Sequence, residues 1–557
     1  MMTLSKPWLH QYPPQIPKTL TYPDVPLTAL LTDAVKLYPD REAIHFLGKK
    51  ITYRVLLEET YRFAHALEQI GIKSDQRVAI MLPNIPQAVI AYYAALFLGT
   101  VVVQVNPMYT ERELLHLLTD SGASTIICLD IQYAKVEKIR SQTNIGQVIV
   151  TSVSEYLPLR KKMLYPFTQT SIPKIPKEDD VYSFQNLLHL VTAPTPIQTE
   201  KQADDLALLQ YTGGTTGLAK GSMLTHRNLV VNAHQASAWM YKTREGQEKI
   251  LGVLPFFHVY GMTAVMNLAI KLAATMILLP KFDRDQILKT IVKEKPTIFP
   301  GAPTMYVSLI NHPRIHKYQL NSIDACISGS APLPIEVQDK FEQLTGGRLV
   351  EGYGLTETSP VTHTNLIWDR KKDSTIGLPW PDTECKIVSM ETGEELAPGL
   401  IGELYIRGPQ VMKGYWNRPE ETTEVIKDGW LATGDLAKMD DDGYFYIVDR
   451  RKDLIIAGGF NIYPREIEEV LYEHPAIDEV VVIGVPDSYR GETTKAYIVL
   501  KKGMSATSSE LDKHCRENLA GFKVPRLYEF RDELPKSAIG KILRRVLQDE
   551  VKQKKQE

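Results

Sequence analysis

The stretch YTGGTTGLAKG, Tyr211 to Gly221, puts four glycines, four hydroxyl side chains and a single lysine into eleven positions. Glycine lets backbone approach a ligand closely and tolerates positive φ. Threonine adds short, rotatable donors. The combination suits a ligand rich in acceptor oxygens, and a phosphate chain is the first candidate. The ordinary phosphate loop requires Gly, four residues, then Gly-Lys-Ser/Thr. Here Leu218 and Ala219 stand between Gly217 and Lys220, so a conventional P-loop kinase is disfavoured.

Upstream of this stretch the pattern alternates between strand and helix. Arg77 to Met81 is β-rich; Asn84 offers a cap, Pro86 marks a helix start, and Gln87 to Leu98 is apolar and helix-permissive. Gly99 breaks it, and Thr100 to Val105 reads as a buried strand, with Thr125 to Leu129 as another. Strand, short crossover helix and strand make a βαβ unit in a largely parallel sheet. Downstream of residue 449 the character changes. Pro464 opens a helix with Ile467, Val470 and Leu471 on one face. Glu479 to Gly484 and Lys495 to Leu500 read as strands, and Ser509 with Asp512 reads as a capping-box variant. The expectation is a large α/β domain over 1–449 and a smaller α+β domain over 450–557.

Length and composition agree with a multidomain globular chain: 557 residues, 44% apolar and 23% charged. With 64 basic against 66 acidic residues the net charge is −2, which gives no global electrostatic reason to expect nucleic acid. The cysteines at 128, 326, 385 and 515 show no metal-type pairing, and reduced, cytosolic thiols are the simplest account. The N-terminal MMTLSKPWLHQYPPQIPK lacks the apolar run of a secretion signal. Ala88 to Val103 and Met262 to Pro280 are apolar but short or interrupted, and read as a buried helix followed by a buried strand rather than membrane spans. Leu157 to Phe167 interleaves basic and apolar residues. Of its two readings, a membrane-surface segment and a surface excursion packed on its own domain, the second is favoured.

Five further segments accompany the opening loop. Ile327 to Pro334 is a small-residue turn on which a flat ring can lie. Gly352-Tyr-Gly-Leu-Thr-Glu-Thr-Ser359 offers an aromatic face in Tyr353, a hydroxyl in Thr356 and a carboxylate in Glu357. A lone carboxylate beside phosphates is a natural Mg²⁺ anchor. Asp428 to Asp435 ends in a carboxylate able to accept both hydroxyls of a ribose. Asp449 to Gly459 and Pro535 to Lys541 complete the set. Each alone has a plain structural reading: Asp435 caps a turn, Tyr353 is core, Lys541 is a surface lysine, and Arg450, Arg451 and Lys452 form a solvated charge run. Their joint presence in this order is the informative feature.

With these segments the chain resembles the adenylate-forming superfamily of acyl-CoA synthetases, luciferases and adenylation domains, from about residue 20 to 545. DGWLATGDLAKMDDDGYFYIVDRRK, Asp428 to Lys452, and the glycine at Gly213 resemble bacterial long-chain fatty acid–CoA ligases. The resemblance implies a large N-terminal domain of packed α/β subdomains that binds AMP and the acyl chain, and a mobile lid carrying the catalytic lysine. It implies two steps: a carboxylate attacks the α-phosphate of ATP to give acyl-adenylate and pyrophosphate, and CoA then displaces AMP. Thr212, Gly213, Gly214, Thr215, Thr216 and Lys220 would hold the β- and γ-phosphates, with Thr356 near the α-phosphate and Mg²⁺ on Glu357. Gly329, Ser330, Ala331, Gly352, Tyr353 and Gly354 would enclose adenine, and Asp435 and Arg450 would fix the ribose. Lys541 would bridge the acyl carboxylate and α-phosphate. Lys452 maps to the hinge, and Gly458 and Gly459 to the CoA tunnel. His258, in Leu254-Pro-Phe-Phe-His258, would sit at the carboxylate end of an acyl pocket walled by Gly301; a buried structural histidine is the plain alternative. Met262 stands where some long-chain members carry a tryptophan gate.

The implied partners are a long-chain fatty acid, ATP and CoA, in a cytoplasmic protein with a peripheral membrane contact through Leu157 to Phe167 as its one membrane option. The resemblance also implies a homodimer. Two rivals stay open at this point. One is a ligase for another acid or acceptor, such as an aryl or medium-chain acid or a carrier protein. The other is a non-catalytic sensor of nucleotide or acyl-CoA on the same fold, which would have no need of Glu357, Asp435 and Lys541.

Overall fold

Gly99 separates the two apolar runs of the βαβ unit; its φ of +76° favours glycine, and a Cβ there would come within 2.8 Å of Ser74 Oγ. Before it, the helix Pro86–Phe97 carries Pro86 in its first turn and buries every residue. After it, Val101–Gln104 is a wholly buried strand, paired in parallel with Arg77–Met81. A helix covered on all sides has no polar stripe, which is why this run superficially resembles a membrane span. Among the described residues no helix is long and apolar enough to cross a membrane. The computed structural model describes residues 6–165, 175–176, 178–212, 219–457, 460–487, 490–537 and 541–553.

Asn84 does not cap that helix. The N-cap is Ile85, without a side-chain bond. Asn84 is buried and reaches the opposite way: its amide donates to the carbonyls of Gly252 (3.1 Å) and Leu254 (2.7 Å), and its oxygen accepts from the Phe256 N–H (2.9 Å). It therefore fastens the strand–helix joint to the segment that ends in His258.

The described chain divides into two compact units, one of Trp8–Glu384 with Arg407–Gly429 and one of Met1–Pro7, Cys385–Ile406 and Trp430–Glu557. The larger unit contains an eight-stranded sheet. Its centre is parallel, with Arg77–Met81 between Val101–Gln104 and Thr125–Leu129. Leu206–Thr212 lies parallel to Val101–Gln104, and Lys220–Thr225 returns antiparallel to it, so that Thr212 faces Lys220. The two ends of the opening stretch are thus neighbours across a ladder, on a strand anchored deep in the sheet. Gly414–Tyr415 closes the edge beside Ser222 and Met223.

A second set of strands runs from Lys49–Thr52 and Glu42–Phe46 through Thr275–Leu278 to Lys249–Gly252. Single bridges at Ile298 carry it on to Ala325–Ser328, Arg348–Gly354 and Val361–Thr364. The apolar run after His258 is a buried helix over Val259–Gly261, π-helical at Met262–Asn267 and α-helical again at Leu268–Lys271. A buried strand, Thr275–Leu278, follows it. The excursion after residue 157 is less well packed than the favoured reading holds. Leu159–Leu164 is a helix whose Lys161 donates to the Leu47 carbonyl, while Leu159, Met163 and Leu164 are 73%, 60% and 62% exposed. Six residues are too few to turn an apolar face inward while also keeping three basic groups in water. Phe167 lies outside the described residues.

In the smaller unit, Gly402–Arg407, Trp430–Met439 and Phe445–Arg450 form an antiparallel sheet with Glu384–Val388. The 449/450 boundary read from the sequence falls inside this unit, because Asp435 and Arg450 are direct partners across two adjacent strands. A second sheet has Ile477–Asp487 and Gly491–Leu500 as its long hairpin, covered by the helix Pro464–Tyr472, which buries Pro464, Ile467 and Leu471. The helix Ser508–Asn518 is capped by Thr507 with Glu510, not by Ser509 with Asp512. The box sits two residues earlier than read, since Thr507 adopts the extended backbone a cap requires.

The Asn84 contacts support an expected outcome. Asn84→Ala leaves the buried Leu254 carbonyl and Phe256 amide without their partner, while the Gly252 carbonyl keeps the Leu279 N–H (3.1 Å); the loss costs about 2–3 kcal/mol. Urea unfolding should show that loss, and any ligase activity should fall with it because the His258 segment loses its tether.

Candidate active site

The hairpin holds Lys220 at its return strand, and the surrounding chain is sewn to that strand. Trp416 donates its N–H to the Gly221 carbonyl (2.8 Å), Lys413 to Met223 (3.0 Å), and Tyr415 to the Thr422 hydroxyl (2.9 Å). The Lys220 ammonium lies over the Tyr415 ring, 5.2 Å from its centroid, and pairs with Glu421. The Tyr415 hydroxyl donates to Glu357 Oε1 (2.7 Å). One tyrosine thus links the lysine to the carboxylate expected to anchor a metal. Tyr415 is buried beside that carboxylate, and both effects push its phenol above the usual range.

Glu357 stands in a short turn, Thr356–Thr358, braced by Thr358. The Thr358 hydroxyl accepts from the Leu355 N–H (3.0 Å), and Met412 donates its N–H to the Glu357 carbonyl (2.8 Å). The second carboxylate oxygen bonds no described residue. Among the described residues no three or more His, Cys, Asp or Glu side chains gather as a metal cage. A single hard oxygen fits Mg²⁺, which keeps several waters and shares substrate phosphates.

Gly329 packs against Tyr260, where a Cβ would come within 2.9 Å of the ring. Ser330 follows with φ +74° and Ala331 is half-buried. Tyr353 is half-buried and edge-on to His363, with centroids 5.8 Å apart. Packing explains the glycines on either side of Tyr353: a Cβ on Gly354 would lie 2.0 Å from the Pro360 carbonyl oxygen, and one on Gly352 would lie 2.8 Å from Ile327 and Thr364.

His258 is half-buried, and its Nδ1 accepts from the Tyr260 N–H (3.3 Å), which leaves the ring proton on Nε2. Met262 is fully buried. An apolar cavity of about 20 Å³ is lined among others by Met240, Tyr260, Thr263, Ala264, Pro300 and Trp380. Gly301 packs on Tyr306 instead, where a Cβ would meet the ring at 2.8 Å.

In the smaller unit, Asp435 is buried and its carboxylate lies 3.4 Å from Arg450 Nε. The neighbouring Gly434 donates its N–H to Glu403 (3.0 Å), which also pairs with Arg451 (3.0 Å). Arg450 and Arg451 each have an acidic partner, while Arg451 and Lys452 are exposed. Lys541 is held by Ser537, whose hydroxyl accepts its N–H (3.2 Å) and whose N–H donates to its carbonyl (2.8 Å). Burial first, then the Arg450 guanidinium, pulls its ammonium down to about 7; Asp435 acts in the opposite direction.

Three residues on, Arg544 pairs with Asp453 (3.3 Å) and Asp449 (3.8 Å) and bonds Glu468. Asp449 is buried and pushed up to about 6, chiefly by that burial, and accepts the N–H groups of Arg450 (2.7 Å) and Arg465 (2.8 Å). This cluster ties the lysine-bearing loop to the strand that carries Arg450. Reading the sequence missed Tyr415, Glu421, Glu468 and Arg544, which lie in no motif and act through partners distant in the chain, and it gave Asp449, though inside a motif, no role. Gly213, Gly214, Thr215, Thr216, Gly458 and Gly459 lie outside the described residues.

A phosphate-type hairpin with a lysine, a solitary carboxylate near it, and a separate unit presenting Asp435, Arg450 and Lys541 belong together in one class. The chain is a member of the AMP-binding enzyme family: residues 31–416 match the AMP-binding enzyme model and 466–541 the AMP-binding enzyme C-terminal domain. It has the adenylate-forming fold, a large N-terminal α/β domain with a smaller C-terminal one. A long-chain-fatty-acid–CoA ligase of Bacillus subtilis (strain 168) is 55% identical over 556 residues, covering 99% of each chain. One of Escherichia coli O157:H7 is 41% identical over 560 residues, again covering 99% of each. ATP-bound MatB from Rhodopseudomonas palustris superposes with a TM-score of 0.84 at 31% identity, covering 95% of this chain and 99% of that one.

The depressed Lys541 makes a prediction with a definite sign. A lysine whose folded pKa lies near 7, below its unfolded value, costs the fold most where it must carry a proton, below pH 7. That cost fades as pH rises toward the unfolded value. Lys541→Met should therefore raise the melting temperature of the ligand-free protein, with a larger gain at pH 6 than at pH 9. Thermal unfolding at both pH values checks it.

Proposed function

We propose that the chain is a long-chain fatty acid–CoA ligase. It joins a fatty carboxylate to the α-phosphate of ATP with loss of pyrophosphate, then passes the acyl group from the adenylate to the CoA thiol with loss of AMP. The observation that carries this reading is the 55% identity to the Bacillus subtilis ligase over 99% of both chains.

Attack of one anion on another needs charge compensation and alignment more than a covalent nucleophile. In this reading Lys220 and the threonines of 212–216 hold the β- and γ-phosphates as the leaving pyrophosphate. Thr356 bonds the α-phosphate, and Asp435 and Arg450 orient the ribose. Gly329, Ser330, Ala331 and Tyr353 enclose adenine. Glu357 holds Mg²⁺, which when bound offsets phosphate charge. Lys541 bridges the acyl carboxylate and α-phosphate: a nucleotide polyanion favours its ammonium form, so it gains its proton where negative charge gathers. Lys452 is the hinge for the turn between the two steps, and Gly458 and Gly459 line the thiol path. His258 donates from Nε2 at the carboxylate end of the acyl pocket, beside Met262 and Gly301. The apolar cavity has room for about one water molecule, so the acyl chain enters only as its walls part. The π-helical turn over Met262–Asn267 is the wall whose backbone bonding can most readily shift. The exposed apolar and basic side chains of Leu159–Leu164 make contact with an acidic bilayer surface, and the working form is a cytoplasmic homodimer.

Pyrophosphate release across acids of graded length tests the substrate class; absence of activity with every acid of about ten carbons or more refutes it. Lys541→Ala should lower adenylation by about 10²–10³-fold and leave thioester formation from preformed acyl-adenylate within about threefold of normal. Equal ATP–pyrophosphate exchange by wild type and Lys541→Ala would instead favour a sensor.

A further inference from the structure

Glu421 has no part in the phosphate scheme above, yet it is the acidic partner of the lysine that scheme depends on. It sits on the short helix Pro419–Val425, and its carboxylate lies between two cations: it pairs with Lys220 and is 3.6 Å from Arg418 Nε. Arg418 in turn pairs with Asp120 (2.8 Å), which accepts from the Tyr211 hydroxyl (2.7 Å). The chain of charges therefore begins and ends on the two strands that flank the phosphate-type stretch, at Tyr211 and Lys220. Its placement is built in rather than casual. The 413–416 segment is hydrogen-bonded to Gly221 and Met223, and Thr422, next to Glu421, accepts from the Tyr415 N–H. His116 adds a further tie, its Nε2 pairing with the Ala219 carbonyl at 3.0 Å.

We propose that Glu421 is the resting counterion of Lys220, displaced by the polyphosphate of ATP, and so sets how tightly the hairpin holds ATP and pyrophosphate. The inference rests on the reading of Lys220 as a phosphate-binding residue. A phosphate chain carries several negative charges where Glu421 carries one, so the exchange of partners runs toward phosphate. Arg418 makes the exchange inexpensive: when Lys220 leaves, Glu421 keeps a cation within reach and no charge is stranded. Both Lys220 and Glu421 are about a third exposed (38% and 33%), so the pair competes as a partly screened one rather than as a locked bridge. In this arrangement Glu421 is a positioning residue. It presents Lys220 over Tyr415 before nucleotide arrives, and retakes it as pyrophosphate departs.

The test is calorimetric titration of Mg²⁺ pyrophosphate into the full-length protein at low ionic strength, using wild type, E421Q, K220Q and the double variant. E421Q should bind about fivefold more tightly than wild type, the size of one partly exposed ion pair released from competition. In the K220Q background the same change should alter affinity by less than about twofold, because the competition no longer exists. E421D should give a smaller shift in the same direction, and serves if E421Q does not fold. An unchanged or weaker affinity in E421Q, or an equal gain in both backgrounds, would overturn the role of Glu421 alone. A wild type that binds no pyrophosphate, or a K220Q variant that binds it as well as wild type, would overturn the phosphate reading and this inference with it.

Discussion

The antiparallel ladder between Leu206–Thr212 and Lys220–Thr225 is the constraint on which the larger unit's chemistry depends. Thr212 faces Lys220 across it, and the first strand is locked in parallel to Val101–Gln104 inside an eight-stranded sheet. A strand buried that deeply cannot slip register without turning its core side chains to the wrong face. The lysine is therefore held by sheet pairing and not by a helix N-terminus, as it would be in the ordinary phosphate loop. This explains why the spacing between the last glycine and the lysine departs from that motif: the lysine belongs to the returning strand.

The smaller unit solves a different problem, that of keeping several cations close together. Arg450, Lys452 and Arg544 all act on Lys541, and crowded positive charge is unfavourable unless acids are interleaved. Asp435, Asp449, Asp453 and Glu468 are those acids. The compensation is uneven. Arg544 is surrounded by three carboxylates and stays charged, whereas Lys541 has only Asp435 against burial and three cations. Burial, and after it these cations, holds the Lys541 ammonium low, and a site with excess positive charge is suited to receive an anion.

Much of the fold was legible because its signals are local. Gly99 between two apolar runs announces a helix stop and a buried strand, and Pro464 announces a helix start. Local signals failed where another segment competed for the side chain. Asn84 has the chemistry of a cap, but two carbonyls and an amide from residues 252–256 claim it. Ser509 and Asp512 have the right spacing for a box, but Thr507 and Glu510 have it too and hold the extended backbone position. Leu157 to Phe167 interleaves basic and apolar residues, a pattern that does not say whether the apolar ones are covered; the helix Leu159–Leu164 leaves three of them outside.

The sequence by itself determined the order of elements and marked the phosphate-type stretch and Thr356, Glu357, Asp435, Arg450 and Lys541 as candidates, since each lies in a contiguous motif whose residue types carry their own chemistry. Tertiary structure alone decided how these groups are charged and held. Tyr415 reaches Glu357 across 58 positions of chain, and Arg544 reaches Glu468 across 76. No periodicity or spacing encodes such pairs, because burial and Coulomb attraction act through space, and only the completed sheets bring these residues within range.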